Sequence, residues 1–146
     1  MRMTLHTDYA LRMLIYVAMR HDRSCTVSDV AEAYGLSRNH LLKVALMLRR
    51  LGFIDTARGR KGGIRLARTP DSINIGTLVR STKEDFSLVE CMQSGNCAIS
   101  PACRLKGIFG EALDAYLAVL DKYTLADITR NRRALRSLLD IDLHAA

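Results

Sequence analysis

Three of the four cysteines in this 146-residue chain fall within CMQSGNCAISPAC, at Cys91, Cys97 and Cys103. Three thiols cannot pair off into disulfides. The two gaps of five residues are wider than the roughly two to four that place both thiolates of a zinc knuckle on one small ion. A loop this wide can wrap a larger object, and an iron–sulfur cluster presents its irons at separated corners. The spacing favours a cluster, while zinc and a thiol redox switch stay open. Three thiolates leave the fourth iron of a cubane without a protein thiol. Cys25 is the remaining thiol, but a lone cysteine between helices is more often a small hydrophobe. His6 and His40 are imidazole donors. Asp8 is a carboxylate near the start of the first helix, where offsetting the helix dipole is its simplest role.

The loop that carries the thiols is marked by turns at Gly95-Asn96 and Ser100-Pro101. It joins two differently patterned halves. Over residues 7–20, Leu11, Leu14, Ile15 and Ala18 recur at helical spacing, with Tyr9, Met13 and Val17 widening the apolar side. Thr26 or Ser28 can cap a helix running through Val30 and Ala33 to Tyr34, and Gly35 supplies a left-handed stop. Ser37 then caps a second helix with Leu41, Leu42, Val44, Ala45 and Leu48 inward, closed by Gly52. This is a helix-turn-helix pattern. The segments FID and IRLAR flank the basic, glycine-rich TARGRKGG and predict a β-hairpin. A short helix follows, with Ile75, Leu78 and Val79 inward.

Beyond the cysteines, RLKGIFGEALDAYLAVLDKY predicts a long helix whose stripe is Leu105, Phe109, Ala112, Tyr116 and Val119, thickened by Ile108, Leu113 and Leu120. So wide a stripe needs a second surface, most economically a second copy of the chain. The chain ends in LLDIDLHAA, which predicts a short last helix. The expected architecture is mainly α: a winged helix-turn-helix with a small β-hairpin wing over 1–80, a cysteine-bearing loop over 81–103, and a dimerisation helix with its tail over 104–146.

The net charge of +7 is unevenly spread. Residues 1–70 hold thirteen Lys/Arg against five Asp/Glu, and residues 71–146 hold nine against ten. The basic half is therefore the half expected to meet nucleic acid. In a winged helix-turn-helix the second helix enters the major groove, which assigns Ser37, Arg38, Asn39, His40, Lys43 and Arg49 to DNA. Arg and Asn can read base edges, whereas Arg58, Arg60 and Lys61 on the hairpin tip suit phosphates or the minor groove. The apolar run near the N-terminus is short and broken by His6, Asp8 and Arg12. It fits neither a signal peptide nor a membrane span, so a cytoplasmic protein with no membrane partner is expected. No dinucleotide fingerprint, radical-enzyme cysteine triplet or nucleophile–base motif is present, which argues against an enzyme.

The stretches LHTDYALRMLIYVA, RGRKGGIRLA, CMQSGNCAISPACRL and EALDAYLAVLDKYTLADI together resemble the iron–sulfur winged-helix transcriptional regulators, and within that family its nitric-oxide-sensing repressors. The resemblance covers nearly the whole chain, and the three-cysteine loop is its most specific part. It implies a homodimer on a palindromic double-stranded operator. It also implies one cluster per subunit, 4Fe–4S with 2Fe–2S as the alternative, on Cys91, Cys97 and Cys103. The fourth ligand of the nitric-oxide sensors maps onto Asp8, contributed by the partner subunit. Operator affinity would fall when nitric oxide destroys or modifies the cluster. Sensing of iron or cluster supply is the alternative within the family, and a zinc-stapled nucleic-acid module the alternative outside it.

Overall fold

The computed structural model describes residues 3–20, 23–57, 59, 62–83 and 85–141. The chain runs α1 (Leu5–Met19), α2 (Val27–Tyr34), α3 (Arg38–Arg50), β1 (Ile54–Ala57), β2 (Gly63–Leu66), α4 (Ile75–Thr82), α5 (Leu105–Leu120), α6 (Leu125–Ile128) and α7 (Arg132–Leu138). Among the described residues no helix is long and apolar enough to cross a membrane.

Local chemistry sets most of these boundaries. The Thr4 hydroxyl accepts from the Thr7 amide at 3.2 Å and starts α1 two residues before the position its apolar periodicity marks. Thr26, not Ser28, caps α2. Its hydroxyl accepts from the Asp29 amide at 3.1 Å, while its own amide donates to the Asp29 carboxylate at 2.7 Å. Gly35 ends the helix at φ 62°, the left-handed turn that brings in α3. Ser37 occupies the N-cap of α3, but its side chain makes no capping bond.

α1 is the post around which α3, β2, α4, α6 and α7 pack. Met13, Leu14, Tyr16, Val17, Ala18 and Met19 on α1 are each 2% exposed or less. From α3 it meets Leu41, Val44, Ala45 and Leu48. Leu42, expected inward, is 36% exposed on the shoulder of the stripe.

β1 and β2 form the antiparallel hairpin, with Ile54 opposite Leu66 and Ala57 opposite Gly63. Cys25 adds a bridge on the other side of β2: its amide donates to the Ile64 carbonyl at 3.1 Å, and the Ile64 amide donates back at 2.6 Å. A Cβ at Gly63 would lie 2.6 Å from the Cys25 carbonyl oxygen, so this approach needs a glycine.

α4 and α5 build a second, smaller core from Ile75, Val79 and Leu117, against which Leu113, Tyr116, Leu120 and Phe86 pack. Tyr116, placed in the outward stripe by periodicity, is thus turned into its own chain. At the end of α5 the Arg80 guanidinium grips both Asp121 oxygens, at 2.6 and 2.7 Å, and Asn74 donates to the Asp121 carbonyl at 2.8 Å. Gly76 lies underneath, where an added Cβ would be 1.9 Å from Asp121 Oδ1. The Gly76→Ala protein is expected to unfold at lower urea than the wild type, and Gly76→Ala added to Asp121→Ala to cost little more than Asp121→Ala alone. Fully additive losses in that double-mutant cycle would show that the alanine acts elsewhere. Arg80's hydrogen bonds hold the Asp121 carboxyl below its usual range. Its contribution is therefore full at neutral pH and fades as pH falls below the ordinary carboxylate value.

After α5 the chain returns to α1. Leu125 and Ile141 enter the main core, and Arg132 and Arg136 donate to the Ala18 and Met19 carbonyls at 3.1 and 2.9 Å, closing the C-terminal end of α1.

Candidate metal centre and DNA interface

The three clustered thiols lie between α4 and α5. Cys91 sits in a single 3-10 turn, Glu90–Met92, and Cys103 comes just before α5. Cys91 and Cys103 are half-buried, Cys97 is exposed, and none forms a disulfide. Cys91 and Cys97 line a hollow of about 460 Å³ with Val89, Glu90, Ser94 and Asn96.

The loop is held by its own bonds. Ser87 donates its amide to Asp85 at 2.7 Å and Gln93 donates its side chain to the same carboxylate. Ser100 and Cys103 donate amides to Cys97 and Ile99 carbonyls at 3.0 and 2.9 Å. Among the described residues, every hydrogen bond given to 85–103 stays inside that segment. Phe86 anchors it by packing on the smaller core beneath the Lys83 ammonium, 4.7 Å from its ring.

Among the described residues no three His, Cys, Asp or Glu side chains converge as a single bound ion would require. The donor set is nonetheless chemically suited to an iron–sulfur group. It consists of unpaired thiols, spaced along one segment whose hydrogen bonds, among the described residues, stay within it. Cys25 is a different kind of thiol. It is 1% exposed, and burial pushes it up to about 12, so it stays protonated and packs as a small apolar residue.

Asp8 lies in the first turn of α1. Its two oxygens face Arg12, with Nε at 3.2 Å and Nη2 at 3.0 Å. Arg12 in turn lies 5.8 Å from the centre of the Tyr34 ring. Next to Asp8, Tyr9 meets His40 across α3, with ring centroids 6.5 Å apart.

On α3, Ser37, Arg38, Asn39, His40, Lys43 and Arg49 are all exposed. Arg38 is braced against α2, its Nε donating to Ser28 Oγ at 2.9 Å. Ser28, considered as a cap, instead orients an arginine at the entry of α3. Lys43 faces a hollow of about 620 Å³ shared with Thr4, His6 and Met47 on one side and Thr82, Lys83 and Asp85 on the other. Arg58, Arg60 and Lys61 lie outside the described residues.

The family model described as an iron-dependent transcriptional regulator, Rrf2, matches residues 3–131. The chain belongs to the Rrf2 family. It is 49% identical over 142 residues to the HTH-type transcriptional regulator NsrR of Bacillus subtilis, covering 95% of this chain and 97% of that protein. It is 47% identical to NsrR of Bacillus licheniformis, covering 95% and 99%. Among solved structures it is similar to IscR of T. potens, at a TM-score of 0.71 and 25% identity, covering 90% and 88%. CymR, the global cysteine regulator of B. subtilis, gives a TM-score of 0.71 and 26% identity, covering 90% and 98%. This Rrf2 protein is a DNA-binding transcriptional regulator and not an enzyme. Its mainly α, winged-helix fold is that of the family. Membership in this family supports an iron–sulfur group.

Proposed function

We propose that this Rrf2 protein is a homodimeric repressor that binds a palindromic operator and responds to nitric oxide through a 4Fe–4S cluster. Cys91, Cys97 and Cys103 are its thiolate ligands, and Asp8 of the partner subunit is the fourth. The observation that carries the reading is the division of the thiols: three, half-buried or exposed, on a segment whose hydrogen bonds among the described residues stay within it, and a fourth buried and protonated.

A cluster held by Cys91, Cys97, Cys103 and the partner's Asp8 would supply iron for nitric oxide to react with, and the oxygen ligand would be the weaker tie. The chain's residues do the rest. The thiolates fix the 91–103 loop, and the Asp8 carboxylate ties that loop to α1. Tyr9, one residue on, touches His40 at the reading end of α3. Arg38, Asn39 and His40 face the groove there, with Arg58, Arg60 and Lys61 on the backbone. Releasing Asp8 loosens the spacing of two half-site readers that must stay about 34 Å apart.

Anaerobic purification with iron and sulfide analysis, followed by operator binding during nitric-oxide titration, tests this. Asp8→Ala is expected to keep iron but lose roughly 10- to 100-fold in operator affinity. Asp8→Cys is expected to keep affinity and react more slowly with nitric oxide. An Asp8→Ala protein with unchanged spectrum, affinity and response would make Asp8 only the partner of Arg12. That pairing, which occupies both carboxylate oxygens, favours a second reading in which the signal is iron or cluster supply. In that case chelation, not nitric oxide, would release the operator.

A further inference from the structure

Behind the hairpin, between the end of α1 and the exit of β2, lies a hollow of about 410 Å³ lined by Val17, Arg20, Arg65, Arg68, Thr69 and Pro70 among others. Three of its lining side chains are arginines and none is a carboxylate. Arg65 has only a loose partner, the Asp55 carboxylate at 4.0 Å, with both side chains more than half exposed. Arg68 is held in place: it donates to the Gly52 and Leu51 carbonyls at 2.9 and 3.3 Å and lies over the Phe53 ring at 5.1 Å. Arg20 Nε is enclosed and has no hydrogen-bond partner.

Guanidinium groups stay charged under all ordinary conditions, so three around one hollow repel each other. A single oxyanion seated among Arg20, Arg65 and Arg68 offsets that repulsion. Cations approaching from separate elements suit a tetrahedral, multiply charged anion better than a planar carboxylate. We propose that this hollow is a binding site for a phosphate-type oxyanion. Because Arg20 belongs to α1 whereas Arg65 and Arg68 belong to the wing strand and its exit, an anion here pins the wing to the helical body.

Such an oxyanion can be free or part of a DNA backbone. Arg68 caps the C-terminal end of α3, and α3 has 13 residues, so the hollow is about 20 Å from Arg38 at the reading end. That separation favours a free phosphorylated small molecule or phosphate itself.

Full-length protein is titrated with sodium phosphate and, at matched ionic strength, with sodium chloride, following heat release and the melting temperature. Phosphate is expected to saturate one site per chain and to raise the melting temperature beyond chloride. Arg20→Met and Arg65→Gln are each expected to weaken phosphate binding at least tenfold. Arg20→Met and Arg65→Gln should each lose the phosphate-specific rise in melting temperature while keeping the response to chloride, a difference that a purely structural arginine would not give. Equal shifts with phosphate and chloride, or wild-type phosphate binding by both variants, would overturn the site. Repeating the titration on the operator complex separates the sources. Retained phosphate binding supports the free ligand. Displacement by DNA, with a salt slope lowered by about one in Arg65→Gln, assigns the anion to the duplex and overturns the free-ligand source.

Discussion

Cys97→Ser is expected to yield a folded protein with no iron. Cys97 is exposed, and a surface change away from packing costs within about 0.5 kcal/mol, so the denaturation midpoint should hardly move. The serine hydroxyl is no thiolate, and two remaining thiolates cannot retain a cluster. Cys91→Ala and Cys103→Ala should behave alike. Cys25→Ser is the mirror case. At 1% exposed, a hydroxyl there without a new partner costs about 1–3 kcal/mol, yet it leaves the iron content alone. Iron and sulfide per chain, set beside urea midpoints, give the comparison. A Cys97→Ser protein with full iron, or a Cys25→Ser protein of wild-type stability lacking iron, would reverse the roles assigned to these thiols.

The second large effect is expected at Ile108. On α5, Leu105, Ile108 and Val119 are 47%, 58% and 50% exposed, and Ala112 and Ala115 beside them are exposed too. Their spacing alternates by three and four, the seam of a helix that packs on another helix. In a two-fold dimer each change is made twice. Losing about 2 kcal/mol of burial per copy, or about 4 kcal/mol in all, weakens the dimer by roughly three decades. Ile108→Asp should therefore sediment as a folded monomer at micromolar concentration, whereas Tyr116→Asp should lower the stability of the chain itself. A tight Ile108→Asp dimer would place the contact on another face.

That contrast marks what periodicity can and cannot resolve. A repeat near 3.6 identifies an apolar stripe but not which part of it faces home. Leu105, Ala112 and Val119 were assigned outward and are exposed. Tyr116 was grouped with them, yet it packs with Leu117 against α4, a neighbour remote in sequence. The helix-turn-helix was legible because its signals are local: a hydroxyl cap at Thr26, a left-handed glycine at Gly35, and an inward face at Leu41, Val44 and Leu48. The hairpin was legible for the same reason. α6 was missed, although Thr124 and Asp127 form a capping box at the spacing that announces one. The return of Leu125 and Ile141 to the main core had no local signal at all. Nor did the arginine hollow, whose members are 45 or more positions apart from α1 to the wing. In the metal centre, the three thiols announced themselves by spacing. The engagement of Asp8 by Arg12, one helical turn on, has a local signal too, the i,i+4 spacing of the pair.

The joint between α4 and α5 also constrains how this sequence can drift. Gly76, Arg80 and Asp121 occupy one small volume in which any side chain at 76 displaces the carboxylate at 121. A side chain at 76 forces the carboxylate at 121 to move, and shortening 121 to make room leaves Arg80 with no carboxylate to hold. The three positions are therefore coupled, and a single substitution at any one of them is expected to weaken the joint before a second can restore it.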